Sequence, residues 1–486
     1  MTSNQQITLV RGLGLIAAIS VIIGNVIGTG VFLKTRVMTC NVGTPGYVLL
    51  AWIVAGVLSL AGALTYAELT AMMPRAGGEY NFLKNAYGRL WSFLFGWAQI
   101  LIIRTGSQAA VAVAFGVFLD QLLGGNFKRI YFSTEILGFP YEFSNLQIIG
   151  IFLIALFTAI NCASVRVSGQ IATFLTFIKI ALVVGLGAGA FLLADGNFAH
   201  FSQTAVGGTC EGVAETARFG AASYSFSAGF GAAMLAALWG YDGWNNLTLV
   251  AGEVKNPQKN IPIALIGATV LIIALYVFVN VAYFYVLTPQ EIADVSKDSS
   301  VAIAAAVKFL GGAVVSLMAI ALMASSVGTL HTSVLSSARI PYAMARDGLF
   351  FQSLSKVSPR TRVPIRALVV QAIWACLLVL SGSFDVLTDY AVFGSWIFYF
   401  LATASIFVFR RKMPDAVRPY KAFGYPVIPV LFLLVTAWLL FNTLFTSPQA
   451  SIRGIILILI GLPVYYYLSR QNAHLPEAND EEEDFS

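Results

Sequence analysis

Twelve long apolar runs dominate the chain, at approximately 12–37, 45–72, 90–120, 143–162, 168–194, 222–250, 262–287, 300–330, 364–381, 386–409, 425–446 and 451–470. A helix crossing a bilayer needs about 20 mostly apolar residues, so the runs predict twelve membrane-spanning helices. A transmembrane barrel is excluded, because it needs short segments of alternating polarity and these runs are long and continuous. Composition excludes the soluble alternatives. Only 11% of the 486 residues are charged and 58% are hydrophobic, whereas a soluble domain carries roughly 25% charge. A soluble enzyme, a disordered chain and a nucleic-acid binder are all ruled out. The net charge of +6 is not a basic patch, since Lys and Arg fall in short clusters between apolar runs. Arg11 leads directly into a first run too long for a cleavable signal.

The basic residues also predict orientation, because cytoplasmic loops are enriched in Lys and Arg. With the N-terminus inside, 19 fall on the inner side, among them Arg75, Lys84, Arg339, Arg346, Arg410 and Arg418. Seven fall outside: Lys34, Arg36, Lys128, Arg129, Arg218, Lys297 and Arg453. Arg104, Lys179 and Lys308 sit within runs. Both termini are therefore expected in the cytoplasm. The expected organisation is a cytoplasmic N-terminus (1–11), a first repeat (12–194), an outer loop (195–221) and a second repeat (222–409). The last two helices with their preceding loop (410–470) and an acidic tail (471–486) complete it.

Two runs share an oddity. Run one contains Gly24-Asn25-Val26-Ile27-Gly28-Thr29-Gly30, and run six contains Trp239-Gly240-Tyr241-Asp242-Gly243-Trp244. Each places glycines and a polar residue near mid-membrane. The two runs are five spans apart and so cross in opposite directions, the pattern of an inverted repeat with facing discontinuous helices. Tight packing through glycine explains one such stretch, but the matched pair points to two breaks. A half-helix starting near Thr29 and Gly30 offers bare N–H groups to a carboxylate. A half-helix ending near Trp239 offers bare carbonyls to an ammonium. An anion pole beside a cation pole suits an α-amino acid zwitterion.

Longer motifs add a resemblance. Gly24 to Phe32, Ala67-Glu68-Leu69 followed by Pro74-Arg75-Ala76-Gly77-Gly78-Glu79-Tyr80, and Ile102-Ile103-Arg104 with Ser107 are of this kind. So are Leu238 to Asn245, Gly252 to Pro257 with Ile261-Pro262, Ser336 to Arg339, Ala345 to Gly348 and Arg418 to Lys421. Together they resemble the amino acid–polyamine–organocation superfamily, in its L-amino acid transporter branch. The resemblance implies an all-α LeuT-like fold of two inverted five-helix repeats plus two helices, with helices one and six discontinuous, and amino acid transport by alternating access. It implies that Gly28, Thr29 and Gly30 bind the substrate carboxylate. It implies that carbonyls of Val26, Trp239 and Asp242 receive the amino group, and that Trp239 closes over the substrate as a gate.

Several single residues carry two readings each. An ionisable residue mid-membrane is a functional candidate. The resemblance places Lys179 beside the break in helix one, where sodium-driven relatives seat a sodium ion; its ammonium would replace that ion, making transport sodium-independent. The alternative is a lysine that snorkels to the surface, as is expected of Lys308. Arg104 is either a tether between helices or a lining of the pathway. Asp242 either attracts cationic side chains or caps the half-helix beginning at Gly243. Glu68 and Glu253 either form inner ion pairs or are simply solvated. Tyr241, Asn245 and Asn246 are cavity candidates.

The expected function is sodium-independent exchange of neutral L-amino acids. Proton-coupled symport, with a titrating Lys179, is the nearest rival; a non-transporting sensor and a membrane enzyme are more distant. No HExxH or GxSxG motif appears, and no enzyme activity, cofactor or metal is expected. Partners are the amino acid and membrane lipid, with no nucleic acid. Relatives that join a glycoprotein heavy chain by disulfide use a Cys after the third helix, and residues 121–142 contain none. This favours a stand-alone carrier of the prokaryotic inner membrane. Of the four Cys, Cys40 and Cys210 fall in outer loops, where the leading expectation leaves them unpaired.

Overall fold

The computed structural model describes residues 9–136, 139–205, 207–208, 210–296, 299–312, 314–380, 384–446 and 448–471. Lys297 and the acidic tail beyond 471 lie outside the described residues. The first run folds as two helices, α1 (Leu15–Val26) and α2 (Gly30–Val42), separated by Ile27-Gly28-Thr29. Next come α3 (Pro45–Met72), the short α4 (Glu79–Tyr87), α5 (Arg89–Ala98), a π-helical turn (Gln99–Ile103) and α6 (Arg104–Leu122). A hairpin of β1 (Ile130–Ile136) and β2 (Phe139–Ser144) leads to α7 (Asn145–Ala163) and α8 (Val165–Leu193).

The sixth run also breaks, into α9 (Phe226–Tyr241) and α10 (Asn246–Leu249). There follow α11 (Pro257–Val286), α12 (Pro289–Ala293), α13 (Val301–Leu310), α14 (Val314–Ser337) and α15 (Arg339–Arg346). The chain closes with α16 (Ile365–Leu380), α17 (Phe384–Lys412), α18 (Val427–Thr446), α19 (Pro448–Leu459) and α20 (Gly461–Gln471). Among the described residues ten helical stretches are long and apolar enough to cross a membrane, and three shorter apolar helices accompany them. The eighth run is divided differently from expectation. Gly311, with φ +71°, ends α13, and the long helix starts afresh at Val314. Lys308 therefore sits on a separate short helix, where its ammonium pairs with Glu291 at 2.7 Å instead of snorkelling.

The polarity pattern suits a lipid solvent. Leu192 is 80% and Phe177 71% exposed, while Arg104, Lys179, Glu79, Glu253 and Arg339 are buried. The interior thus carries the charge and the perimeter carries the hydrocarbon, as expected where lipid replaces water. Glu68 and Glu253 are not solvated. Arg339 grips Glu253 through Nε at 2.7 Å and Nη2 at 2.9 Å, both side chains fully buried. Arg410 holds Glu68 in the same bidentate way, with Arg418 beside it at 3.3 Å.

Cys40 and Cys210 form a disulfide, contrary to the expectation that they stay apart. They are separated by 170 residues, so spacing says nothing about the pairing. The loop before α9 folds back over the end of α2: Phe219 N–H donates to Cys40 O, Ala205 N–H to Gly43 O and Asn41 Nδ2 to Ala217 O. Those bonds bring the thiols together.

Candidate functional site

The two breaks meet. A Cβ on Gly30 would lie 2.7 Å from the Cα of Gly240, so the backbones of α2 and α9 cross where only glycine fits. Around this crossing lies a cavity bounded by Val26, Gly28, Thr29 and Gly30 from the first break and by Trp239, Asp242 and Gly243 from the second. Arg104 and Ser107 of α6, Asn246 of α10, and Thr329 and Ser333 of α14 complete its polar wall.

Backbone chemistry gives the cavity two poles. Ile27 leaves the helical conformation at ψ +82°, and a new helix begins at Gly30 without a side-chain cap. The first amides of such a helix have no intrahelical partner and carry its positive dipole end. On the opposite side α9 ends at Tyr241, with Asp242 at ψ +139°. The carbonyls are partly engaged. Val26 O accepts from Gly28 N–H at 2.8 Å and from the Tyr276 hydroxyl at 2.8 Å. The same hydroxyl lies 2.9 Å from Gly240 O. One tyrosine on α11 thus bridges the freed carbonyls of both breaks.

Lys179, fully buried on α8, donates to Gly24 O at 2.7 Å and to Thr329 Oγ1 at 2.8 Å. It lies behind the break rather than among the cavity-lining residues. Ser325 of α14 supports the same segment by donating to Ile27 O at 3.1 Å. Trp239 is half-buried at the cavity edge, with the Lys34 ammonium 5.9 Å from its ring. Arg104 is held by Gln99 Oε1 at 3.1 Å and approaches Asp242 at 3.8 Å. The π-turn that precedes it, with Thr105 Oγ1 reaching back to Ile100 O at 2.7 Å, offsets α6 and turns Arg104 inward.

Not every candidate lines the cavity. Tyr241 packs edge-on against Trp52 and beside Tyr276. Asn245 acts as a tether between Glu79 and Tyr399. Tyr276, Thr329 and Ser333 are not among the sequence candidates, and Ser107 enters there only as a motif residue, with no site role. A tyrosine in an apolar run, or a hydroxyl in a helix, looks like ordinary packing until the fold aims it. The π-turn has no distinct residue signature either. Among the described residues no cluster of His, Cys, Asp or Glu could hold a metal.

Apolar spans wrapped around a central cavity that abuts two broken helices define a polytopic membrane transporter. Residues 13–464 match the amino acid permease family, and the chain belongs to it. It is 32% identical to the serine/threonine exchanger SteT of Bacillus subtilis (strain 168) over 469 residues, covering 95% of this chain and 98% of the relative. It is 30% identical to the large neutral amino acids transporter small subunit 2 of Rattus norvegicus, over 95% of this chain and 81% of the relative. It is 29% identical to the b(0,+)-type amino acid transporter 1 of Homo sapiens, over 95% and 88%. These relatives are transporters and not enzymes, and the stand-alone prokaryotic type accords with the match to SteT.

Proposed function

We propose that the protein exchanges neutral L-amino acids across the membrane by alternating access, independently of sodium. The chain would form a LeuT-like arrangement of twelve spans, with residues 12–194 and 222–409 as inverted repeats and two further helices after them. The substrate carboxylate would take the amides at Gly28, Thr29 and Gly30, the first of them released from Val26 O. Its ammonium would take carbonyls at Val26, Trp239 and Asp242, displacing the Tyr276 hydroxyl from Val26 O. Trp239 would close over the bound molecule. The hydroxyls of Ser107, Thr329 and Ser333 make a polar wall, which suits the small hydroxylated substrates named for SteT.

The observation that carries sodium independence is the Lys179 ammonium, which bonds Gly24 O and Thr329 Oγ1 beside the first break. It makes there the contacts to a carbonyl and a hydroxyl oxygen that a bound cation would make. The Cys40–Cys210 bond favours the orientation with both termini in the cytoplasm, since disulfides persist on the oxidising side of a membrane. Because those cysteines pair within the chain, neither is free to join a heavy chain. We place the protein in a prokaryotic inner membrane, working without such a partner.

Uptake of labelled neutral L-amino acids into sodium-free proteoliposomes tests this reading. Vesicles preloaded with unlabelled amino acid take up label, and empty vesicles given an inward proton gradient do not. Gradient-driven uptake into empty vesicles would instead establish proton symport.

A further inference from the structure

The motif Pro74 to Tyr80 lies outside the cavity, yet it clasps the second half of broken helix six. Gly77 N–H donates to Leu249 O at 2.9 Å. Gly78 has φ +52°, and a Cβ there would run into the Thr248 hydroxyl, so only glycine lets the loop approach this closely. Glu79, fully buried, then directs its carboxyl group at the same segment. Oε1 accepts from Asn245 Nδ2, and Oε2 accepts from Thr248 Oγ1 at 3.2 Å. The other end of the Asn245 amide, Oδ1, lies 3.3 Å from the Tyr399 hydroxyl. That hydroxyl also donates to Asp242 Oδ1 at 2.7 Å, and Asp242 lines the cavity. A continuous hydrogen-bonded path therefore joins Glu79 to the cavity through Asn245 and Tyr399.

Charge and hydrogen bonding both call for a proton on this path. Arg104 is the cation acting on both carboxyl groups. Tyr66 of α3 and Tyr399 of α17 are the other titratable groups around Glu79. Further along, Tyr80 and Lys84 engage Asp347 Oδ2 and Oδ1, and Arg89 engages the Asp347 carbonyl. Two carboxylates sharing one guanidinium leave an uncompensated negative charge, which is costly at the fully buried Glu79. Burial pushes the Glu79 carboxyl group up, with Arg104 pulling it down by a smaller amount. Asp242, with its side chain 23% exposed, is the less buried of the pair.

The hydroxyl of Tyr399 has one proton and two acceptors. The oxygen and nitrogen ends of the Asn245 amide are interchangeable in this arrangement. With Asn245 reversed, a protonated Glu79 donates to Asn245 Oδ1, Asn245 Nδ2 donates to the Tyr399 oxygen, and the Tyr399 proton is committed to Asp242. The Glu79 proton, the Tyr399 proton and one Asn245 N–H then each have one acceptor.

Resting on the exchange reading above, we propose that Glu79 is a proton-binding site wired through Asn245 and Tyr399 to the substrate cavity, so that substrate affinity depends on pH. A proton taken from water by the Glu79 carboxylate fixes Tyr399 on Asp242 and weakens the negative charge that Asp242 presents beside the carbonyls that take the substrate ammonium.

The test measures KM for exchange across pH in wild type, Glu79→Gln and Glu79→Asp. Wild-type KM rises toward acid, by at most about tenfold per pH unit for a single proton. Glu79→Gln, whose amide mimics the protonated acid, holds KM near the wild-type acid value at every pH. Glu79→Asp keeps a dependence displaced along the pH axis. An infrared titration reads the protonated-carboxyl band without any need for transport; the wild type shows a titrating band that Glu79→Gln lacks. The proposal is overturned if that band is unchanged in Glu79→Gln, or if KM follows pH identically in both proteins. A titrating Glu79 band in a wild type that exchanges nothing would sink the exchange reading and leave the proton site standing.

Discussion

Lys179 shows how much a single buried side chain controls here. Its ammonium bonds Gly24 O and Thr329 Oγ1 at once; Thr329 keeps a bond to Ser325 O, but leaving Gly24 O without its partner costs roughly 1–3 kcal/mol. Lys179→Ala is expected to insert normally and to lose exchange by about 100-fold or more; near-normal uptake by this variant would remove Lys179 from the mechanism. Tyr276→Phe loses one bridging hydroxyl worth about 1 kcal/mol, so turnover falls roughly fivefold while KM does not rise. A raised KM at full turnover would instead make Tyr276 a substrate ligand. These two residues also mark the limit of sequence reading. Lys179 was legible because a charge inside an apolar run violates the local rule and demands a reason. Tyr276 violates nothing; only the crossing of α11 with both breaks reveals its role. Asn245 stood among the cavity candidates by proximity to the break, yet its amide serves Glu79 and Tyr399.

The breaks in helices one and six were legible at the scale of elements because glycine and polar residues interrupt apolar periodicity at matched positions. Their mutual contact was not, since it depends on how two distant half-helices cross. The α13–α14 division was missed for a related reason: Gly311-Gly312 carries no polar residue of its own, and the nearby Lys308 reads as a snorkelling side chain within one run. The disulfide escaped because its halves meet only after the loop before α9 has folded back onto α2. The glycine crossing makes a sharp prediction. Gly30→Ala places a methyl group 2.7 Å from the Gly240 Cα, and backbone cannot give way as a side chain would. Overpacking of this kind costs about 1–3 kcal/mol and holds the two breaks apart. Gly46 of α3 is the control, for a Cβ there meets nothing within 4 Å. Gly30→Ala should abolish exchange with the protein still in the membrane, and Gly46→Ala should leave it unchanged. Equal activity of the two variants would mean that the crossing opens during transport without cost.

Across the whole molecule the two ends of the cavity differ. On the side where the chain begins, Leu13 N–H donates to Glu253 O at 2.9 Å and Lys255 N–H returns a bond to Leu13 O at 2.8 Å. The Glu253–Arg339 pair is sealed behind this stitch. At the other side Trp239 stays half-buried at the cavity edge. The alternating access proposed above requires the stitched side to part, so the turn that carries Glu253 must leave Leu13 and α15 during each cycle. A buried ion pair adds little net stability, but removing one partner leaves a naked charge and costs about 3–5 kcal/mol. Arg339→Gln should therefore weaken the sealed arrangement and raise the population open on that side. Ser333→Cys supplies the reporter, since Ser333 lines the cavity. A membrane-impermeant thiol reagent applied to the side of the Leu13 stitch should label Ser333→Cys faster when Arg339→Gln is present, and more slowly from the opposite side. Exchange, which needs both states, should slow as the balance tips. Unchanged labelling from both sides would show that the Glu253–Arg339 pair travels intact through the cycle, and the part played by opening would then fall to the Leu13 stitch.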